Sequence, residues 1–189
     1  MANLIYLMLM SLDGYAADAQ GNFDWAEPDE EIHTFVNDLA RPAGAHLYGR
    51  RMYEVMAVWD TIQTHDVPGY IADFASLWRA ANKIVYSSTL TSTPTANTRL
   101  EHTFEAAAIR QMKAAARQDL AIGGPTLAAQ AFRAGLIDVC HLFVFPVTVG
   151  GGLPAFPRDV HLDFELWEER RFDGGVIYLQ YRLAASQPA

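Results

Sequence analysis

Hydrophobic residues recur along this chain at two spacings, one typical of buried strands and the other of amphipathic helices. Residues 4–10 form a continuous apolar run, as expected of a strand that is covered on both faces of a sheet. Residues 120–122 form a shorter run of the same kind. Between the runs, apolar side chains return every three or four positions, which predicts helices. The first helical stripe consists of Ile32, Phe35, Val36 and Leu39.

Five helices are predicted from these stripes and from the residues that flank them. The first begins after Pro28 with acidic residues in its first turn, where carboxylates favour the positive end of the helix dipole. The second begins at Gly49, the third covers residues 68–78, and the fifth begins at Pro125. Thr103 is predicted to cap the fourth, whose inward face would consist of Phe104, Ala107, Ala108, Met112 and Ala115.

The end of the chain follows a different pattern. Apolar and polar residues alternate over residues 162–166 and again over 176–180, and Asp173-Gly-Gly175 between them is a strong turn signal. The expected fold is therefore α/β, a single three-layer domain over residues 1–189. Its mostly parallel central sheet would have helices on both faces and a C-terminal antiparallel hairpin. Residues 186–189 are expected to fray.

Composition narrows the class of protein. The 189 residues and the hydrophobic fraction of 51% fit one domain with a large core. The net charge of −8 argues against a nucleic-acid partner, which would need a broad positive surface. Cys140 is the only cysteine, which excludes an internal disulfide and indicates a reducing, cytoplasmic compartment.

Two further classes are not expected. Residues 4–10 are too short to span a membrane, and they lack the flanking residues of a signal peptide. The six histidines show no metal-ligand spacing, so no metal site is predicted. The remaining classes are binding proteins and enzymes that act on small molecules.

The junction after residues 120–122 carries the first candidate chemistry. Gly123 and Gly124 follow the strand directly, and Pro125 and Thr126 open a helix. The start of a helix presents free backbone N–H groups and partial positive charge, and glycines allow an anion to approach the backbone closely. The junction is therefore predicted to hold a phosphate. The alternative is a tight strand-to-helix turn that binds nothing.

Two other strand ends carry groups that suit an anion. Gly49 is followed by Arg50 and Arg51 at a predicted helix start, and Ser87-Ser88-Thr89 follows a predicted strand. Ligands gather at the carboxyl ends of the strands in an open parallel sheet. If the three ends are neighbours, they suit a dinucleotide, with helix N–H groups at its pyrophosphate and arginine and hydroxyl groups at a 2′-phosphate. Each feature alone also fits an exposed charge or an ordinary turn.

The same stretches resemble the reductase domain of the riboflavin-biosynthesis deaminase–reductases and its stand-alone relatives, which share the dihydrofolate reductase fold. The similarity follows the chain in order over nearly its whole length. The deaminase zinc motif His-x-Glu…Pro-Cys-x-x-Cys is missing, so a stand-alone reductase is expected. The matching segments are Ser11-Leu-Asp-Gly-Tyr15, Gly49-Arg-Arg-x-Tyr-Glu54, Val85-Tyr-Ser-Ser-Thr-Leu90, Ile122-Gly-Gly, Gly135-Leu-Ile-Asp138, Phe145-Pro-Val147, Gly150-Gly-Gly152 and Phe156-Pro157.

The resemblance implies NADPH as the cofactor. It places residues 123–124 under the pyrophosphate, residues 49–51 at the phosphate-binding helix start, and Ser87 and Ser88 near the adenosine 2′-phosphate. Met52 stands where the family usually has threonine. A phosphate-facing hydroxyl is thereby lost, at a cost on the order of 1 kcal/mol.

The proton donor is predicted from position alone. Glu31 and Phe35 share one flank of the first helix, and the pair resembles the acid and the substrate-packing phenylalanine of dihydrofolate reductases. The alternative for Glu31 is a carboxylate that only favours the helix start. Asp13 is the rival acid, on the loop expected to cover the nicotinamide, although an Asp-Gly turn explains it equally well. Trp25 and Trp59 are candidates for stacking on a flat substrate, with core or lid packing as the alternative.

These features predict an NADPH-dependent reductase that transfers a hydride to a small heteroaromatic or imine-like substrate. One candidate reaction is the reduction of 5-amino-6-(5-phosphoribosylamino)uracil in riboflavin biosynthesis. The alternatives are a pterin or dihydrofolate-like reductase and an NADPH-binding protein with little catalysis. The resemblance also implies a homodimer, although no patch in the sequence identifies its interface.

Overall fold

A sheet of eight strands forms the middle layer of the computed structural model, which describes residues 1–184. The predicted fraying of residues 186–189 falls outside the described residues. A second, two-stranded sheet joins β2 and β8. In chain order the strands are β1 (Leu4–Ser11), β2 (Tyr15–Ala17), β3 (Ala45–Gly49), β4 (Lys83–Tyr86), β5 (Thr98–Glu101), β6 (Leu120–Gly123), β7 (Val139–Phe145), β8 (Leu153–Pro154), β9 (Phe164–Arg171) and β10 (Ile177–Leu183).

Within the described residues, five α-helices and two short 3-10 helices connect these strands. The 3-10 helices cover Asp24–Ala26 and Ala57–Asp60. No helix within residues 1–184 is both long enough and apolar enough to cross a membrane. The α-helices are α1 (Glu30–Ala40), α2 (Arg50–Met56), α3 (Gly69–Ala80), α4 (Ala106–Ala115) and α5 (Pro125–Arg133).

The strand order in the large sheet is β5-β4-β3-β6-β1-β7-β10-β9. The first six of these strands are parallel, whereas β10 runs antiparallel to both β7 and β9. Strand β1 lies inside the sheet, and its side chains Tyr6 and Leu7 belong to core clusters on opposite faces, so β1 is covered on both faces, as its continuous apolar run requires. The predicted mostly parallel sheet with a C-terminal antiparallel hairpin is confirmed.

Helices pack on both faces of the sheet. On one face, Leu127 and Phe132 of α5 and Ile109 of α4 belong to the same core cluster as Tyr6 and Ile122 of the central strands. The opposite face carries α1 over β7 and β10, and α2 and α3 over β3 and β4, in two further clusters. The three layers predicted from the sequence are therefore present.

Local boundaries differ from the prediction at two helices. Asp29 is the N-cap of α1 and not part of its first turn, because its carboxylate accepts a hydrogen bond from the Ile32 backbone N–H at 2.9 Å. The cap predicted at Thr103 is wrong, since α4 begins at Ala106 after Glu105. The inward face predicted for α4 is also wrong in part, because Ala107, Ala108 and Ala115 are exposed while Ile109 and Lys113 are buried.

Strand β9 forms one edge of the sheet and is exposed along its whole length. The segment with predicted alternation forms a strand, as expected, but its apolar side chains are not buried. Phe164, Leu166 and Trp167 are 37%, 48% and 56% exposed. These are the only large hydrophobic side chains that are exposed on a strand within residues 1–184.

Candidate functional site

Three strand ends with candidate chemistry lie side by side at one edge of the sheet. β4, β3 and β6 are consecutive neighbours and run parallel. Gly49 pairs with Tyr86, the residue before Ser87, and Gly123 pairs with Tyr48. The three junctions are therefore level with one another and span about 10 Å at the usual strand spacing. The convergence that the sequence required for a dinucleotide site is present.

Gly124 is the N-cap of α5 and has a φ of +85°, a backbone conformation that suits glycine. A Cβ on Gly124 would lie 2.9 Å from Cβ of Met52, and one on Gly123 would lie 2.9 Å from Cε1 of Tyr48. The two glycines are therefore required by the packing of α2 and β3 against the turn. Pro125 occupies the first turn of α5, where its missing N–H costs no hydrogen bond.

The first turns of α2 and α5 lie against each other. A Cβ on Gly49 would be 3.5 Å from Cβ of Leu127, and Met52 contacts Gly124. Both helices start at this edge of the sheet, so their free N–H groups and positive dipole ends face the same region. Thr126, in the first turn of α5, is exposed there. This is a suitable place for a phosphate group.

Arg50 reaches from the start of α2 to the loop after β4. Its Nη1 donates to Thr89 Oγ1 at 3.0 Å, and its Nε donates to Glu54 at 2.8 Å. The buried Ser87 Oγ accepts hydrogen bonds from the backbone N–H groups of Thr89 and Leu90. Arg50 is half exposed, so its remaining donors are available to a ligand.

The structure separates the roles of the two serines and the two arginines. Ser87 is buried and shapes the turn, whereas Ser88 is exposed. Arg51 is also exposed, and no protein partner of its side chain is found within residues 1–184. Thr89 directly follows the two serines in the stretch that the sequence predicted to suit an anion, and the structure adds its contact with Arg50. Thr89 is the residue that joins Arg50 to the serine loop.

Asp13 joins the first loop to the glycine loop at residues 150–152. Its carboxylate accepts hydrogen bonds from Ser11 Oγ at 2.6 Å and from the backbone N–H groups of Val149 and Gly150 at 3.2 and 2.8 Å. The Ser11 hydroxyl, aided by the two backbone donors, lowers the pKa of the Asp13 carboxyl. A carboxylate held ionised in this way is poorly suited to donate a proton, and the catalytic role predicted for Asp13 stays a prediction.

The replacement Asp13→Asn should loosen the contact between the two loops. We expect amide exchange at Val149 and Gly150 to accelerate about tenfold, because a neutral amide accepts more weakly than a carboxylate. The lowered pKa gives the same contact a pH dependence. Its stabilisation is complete above the ordinary value of 3.8 and is lost as the pH falls through the lower folded-state value.

The matched control for this measurement is Asp18→Asn. Asp18 accepts hydrogen bonds from the backbone N–H groups of Gln20 and Asn22, which belong to its own turn. We expect that variant to leave exchange at Val149 and Gly150 unchanged. Equal acceleration in both variants would show that Asp13 has no special part in joining the loops.

The glycine loop is fitted closely against the first loop. A Cβ on Gly152 would overlap the backbone of Ala17 and Asp18. Ala155 N–H donates to the Gly14 carbonyl at 2.9 Å, and the buried Tyr6 hydroxyl donates to the Ala155 carbonyl at 2.6 Å. Residues 11–18 are therefore held on the sheet at several points, and they do not form a freely hanging lid.

Glu31 pairs with Arg170 of the edge strand β9. The Arg170 guanidinium donates to the Glu31 carboxylate at 2.6 Å and lies 4.9 Å from the ring centre of Phe35. Glu31 and Phe35 thus share one flank of α1, as predicted. That flank faces β9, which is four strand positions from β6, or about 19 Å at the usual spacing. The contact argues against proton donation by Glu31 beside the cofactor junctions, and the role predicted for Glu31 stays a prediction.

The three aromatic candidates lie in different surroundings. Phe35 packs edge-on against Tyr178 at 4.8 Å and against Phe143 and Phe172 in the core under α1. Trp59 packs against Phe74 at 4.7 Å in the cluster under α2 and α3. Their contacts are those of core residues, which was the alternative for Trp59, and their substrate roles stay predictions.

Trp25 differs from the other two because it has a polar atom without a partner. Its ring packs edge-on against Phe145 at 6.3 Å, at the carboxyl end of β7. The indole Nε1 is buried and has no hydrogen-bond partner within the described residues. Burying an unpaired N–H is unfavourable, so a bound acceptor would stabilise it. The substrate role of Trp25 stays a prediction.

The amino-acid sequence matches the model of a known family. Residues 2–178 match the model of the RibD C-terminal domain. The chain belongs to that family. The match covers every junction described here, from Asp13 to the glycine loop, and it confirms the resemblance that the sequence motifs indicated.

Two other proteins are similar to this chain over nearly its whole length. The protein YyaP of Bacillus subtilis (strain 168) is 24% identical over 182 residues, which cover 94% of this chain and 93% of YyaP. A protein from Shewanella sp. PV-4 assigned to riboflavin biosynthesis has a similar structure, with a TM-score of 0.76, 24% identity, and coverage of 98% of this chain and 100% of that one.

Dihydrofolate reductase from Enterococcus faecalis, in complex with NADP(H), is a third similar structure. Its TM-score is 0.65 at 15% identity, with 97% of each chain covered. The predicted dihydrofolate reductase-like fold is thereby confirmed. Membership of the RibD C-terminal family supports an oxidoreductase with a riboflavin-pathway reductase-like role.

Proposed function

We propose that this member of the RibD C-terminal family is an NADPH-dependent reductase. One observation carries the proposal: the ends of β4, β3 and β6 are level neighbours, and the Arg50 guanidinium bonds to Thr89 beside Ser87. The pyrophosphate would bind at the adjoining first turns of α2 and α5, and the 2′-phosphate would bind at Arg50.

The residues at these junctions fit the charge of the cofactor. The chain carries a net charge of −8, so its surface as a whole repels anions. Arg50 and Arg51 locally reverse that charge at the start of α2, beside the exposed hydroxyls of Ser88 and Thr89. Arginine and hydroxyl groups are the side chains that bind phosphate oxygens best.

When bound, NADPH would supply the hydride from its nicotinamide ring. The protein has to orient that ring against a small heteroaromatic or imine-like substrate and to exclude water. The interlocked loops at residues 11–18 and 150–155 cover the carboxyl end of β1. In that position they can orient the nicotinamide ring and exclude water. Substrate selection and the source of the proton are then separate questions from cofactor binding.

The replacement Arg50→Met tests the cofactor assignment. We expect NADPH affinity to fall about ten- to a hundredfold, because a charge-assisted hydrogen bond contributes about 1.5–3 kcal/mol. NADH lacks the 2′-phosphate, so its affinity should change little. Quenching of tryptophan fluorescence during titration with each nucleotide measures both constants.

The control for Arg50 is Arg133→Met. Arg133 is similarly exposed and also forms an ion pair, with Asp159 at 2.9 Å, but it lies at the opposite end of α5. Neither nucleotide should bind differently to that variant. If wild-type protein bound NADH and NADPH equally, Arg50 and the serine loop would have no part in recognising the 2′-phosphate.

The substrate is proposed as a class. Reduction of 5-amino-6-(5-phosphoribosylamino)uracil is the first reaction to assay, because the family supports a riboflavin-pathway role. A pterin or dihydrofolate-like reductase is the second, since the fold is shared with a dihydrofolate reductase that binds NADP(H). NADPH binding without turnover of any pyrimidine or pterin would favour the third alternative, a nucleotide-binding protein with little catalysis.

A homodimer and a cytoplasmic location complete the proposal. The exposed edge strand β9, with Phe164, Leu166 and Trp167, is the surface that a second copy would cover. Light scattering on the purified protein would measure the oligomeric state. A monomer at micromolar concentration would contradict the dimer and leave the cofactor assignment intact.

A further inference from the structure

His102 lies at the proposed 2′-phosphate site, although its sequence context gave no reason to single it out. It directly follows β5, the strand next to β4 at the edge of the sheet. Its Nδ1 is 3.0 Å from the Ser87 backbone carbonyl oxygen, and the residue is exposed. Ser87 N–H in turn donates to the Glu101 carbonyl at 2.9 Å. The imidazole ring is thus fixed to the loop that also contacts Arg50.

The Ser87 carbonyl decides which ring nitrogen of His102 carries a proton. A carbonyl oxygen only accepts, so Nδ1 must donate in this contact. In neutral His102 the proton is therefore on Nδ1, and Nε2 is an acceptor. When the ring is protonated, Nε2 becomes a donor with positive charge. Nε2 has no hydrogen-bond partner within residues 1–184. A ligand at Nε2 would therefore meet an acceptor when the ring is neutral and a charged donor when the ring is protonated.

Arg50 and His102 approach the same short loop from two sides. Arg50 contacts Thr89 from α2, whereas His102 contacts Ser87 from β5. The hydroxyls of Ser87 and Thr89 are 3.3 Å apart. A phosphate bound at Arg50 and Thr89 therefore lies next to the loop residue to which the imidazole is anchored.

We propose that His102 is a second cationic contact for the adenosine 2′-phosphate, so that protonation of His102 raises the preference for NADPH over NADH. This inference rests on the proposed use of NADPH. Histidine is the side chain whose charge ordinarily changes between about pH 5 and 8. Discrimination between the two nucleotides is then stronger with His102 protonated than with His102 neutral.

Other ionisable groups near His102 also affect binding. The charged residues on the neighbouring elements are Arg50, Arg51 and Glu54 of α2, Lys83 of β4, the ion pair of Arg99 and Glu101 on β5, and Glu105 before α4. The phosphate itself gains a proton near about pH 6, which weakens its binding as the pH falls. All of these groups remain when His102 is replaced. The difference between wild type and variant therefore isolates the histidine.

The experiment measures dissociation constants for NADPH and NADH at about pH 6 and about pH 8, across the range where histidine titrates. We expect the NADPH preference of wild type to exceed that of His102→Gln by about five- to tenfold at the lower pH, as one charge-assisted hydrogen bond allows. At the higher pH the two should be nearly equal. His102→Lys, which stays charged, should keep the larger preference at both values.

NADH affinity serves as the internal check that each variant is folded, and His161→Gln is the matched control. His161 is also exposed but lies beside Asp163, next to the opposite edge strand β9. It should behave as wild type at both pH values. Its response separates a local effect of His102 from a general effect of removing an exposed histidine.

Three results would overturn the inference, and they lead to two different conclusions. If wild type prefers NADPH but His102→Gln keeps the same preference at both pH values, His102 only supports the loop and the proposed cofactor stands. The same conclusion follows if His102→Lys loses the preference. If wild type shows no preference for NADPH at either pH, the cofactor assignment itself fails and the role of His102 fails with it.

Discussion

Replacing Gly124 by valine is expected to abolish NADPH binding. Any side chain at a φ of +85° is strained by about 1–2 kcal/mol. Here the new Cβ would also lie 2.9 Å from Met52 Cβ, so α2 or α5 must move. Because Arg50 is two residues before Met52 on α2, that movement would separate the proposed pyrophosphate and 2′-phosphate contacts. Loss of affinity should exceed a hundredfold, which corresponds to about 2.7 kcal/mol.

Gly135 at the other end of α5 provides the matched control. Its φ is +62°, but a Cβ there would meet nothing within 4 Å. Gly135→Val should therefore show the backbone strain alone and bind NADPH nearly as wild type does. Nucleotide titration together with thermal unfolding separates the two effects. Equal affinities for the two variants would move the phosphate site away from the start of α5.

Gly152→Ala is expected to cause the largest loss of stability among the glycine replacements. The added Cβ would overlap the Ala17 carbonyl and the Asp18 backbone, neither of which can rotate away as a side chain could. The two loops would have to separate, with loss of the Asp13 contacts to Val149 and Gly150. We expect the free energy of unfolding to fall by more than about 3 kcal/mol, or the loops to detach while the sheet stays folded.

Gly150→Ala is the control for that replacement. Gly150 also has a positive φ, of +73°, but a Cβ there would meet nothing within 4 Å. Its cost should be about 1 kcal/mol. Denaturant unfolding gives the stability of each variant, and amide exchange at residues 148–155 shows whether the loops have detached. Similar values for both variants would contradict the close fit at Gly152.

Much of the sheet could be predicted from the sequence because its signals are local. The apolar run of residues 4–10 and the turn at residues 173–175 depend on neighbouring residues only. Their neighbours in the sheet could not be predicted in this way, because hydrophobic spacing says nothing about strand order. From the sequence, the dinucleotide site could be predicted only on the assumption that β4, β3 and β6 are neighbours. The strand order confirms that they are.

The wrong prediction of the buried face of α4 also has a physical cause. Five of the ten residues of α4 are alanines, which fit either face of a helix, so hydrophobic spacing could not identify its buried side. The structure buries Lys113 there instead, because its Nζ pairs with Asp138 at 2.6 Å and donates to the Leu136 carbonyl at 2.8 Å. A lysine is counted as exposed in any hydrophobic pattern, and its distant partner is invisible in the sequence.

The proton donor shows the same limit at the candidate site. The helical spacing correctly put Glu31 and Phe35 on one flank of α1, and both contact Arg170. Spacing could not show which strand that flank would face. His102 was missed for a similar reason, since its role depends on a contact with Ser87, which lies fifteen residues earlier, just after a different strand.

The contact between Met52 and Gly124 limits how cofactor preference can change in this protein. It ties the helix that carries Arg50 to the turn beneath the proposed pyrophosphate, so a substitution on either side of it disturbs both. Thr89, Ser88 and His102 lie outside that contact, on the rim formed by β4 and β5. Attempts to change the cofactor preference to NADH should therefore begin with residues on that rim. Substitutions there would weaken binding of the 2′-phosphate without displacing the rest of the nucleotide.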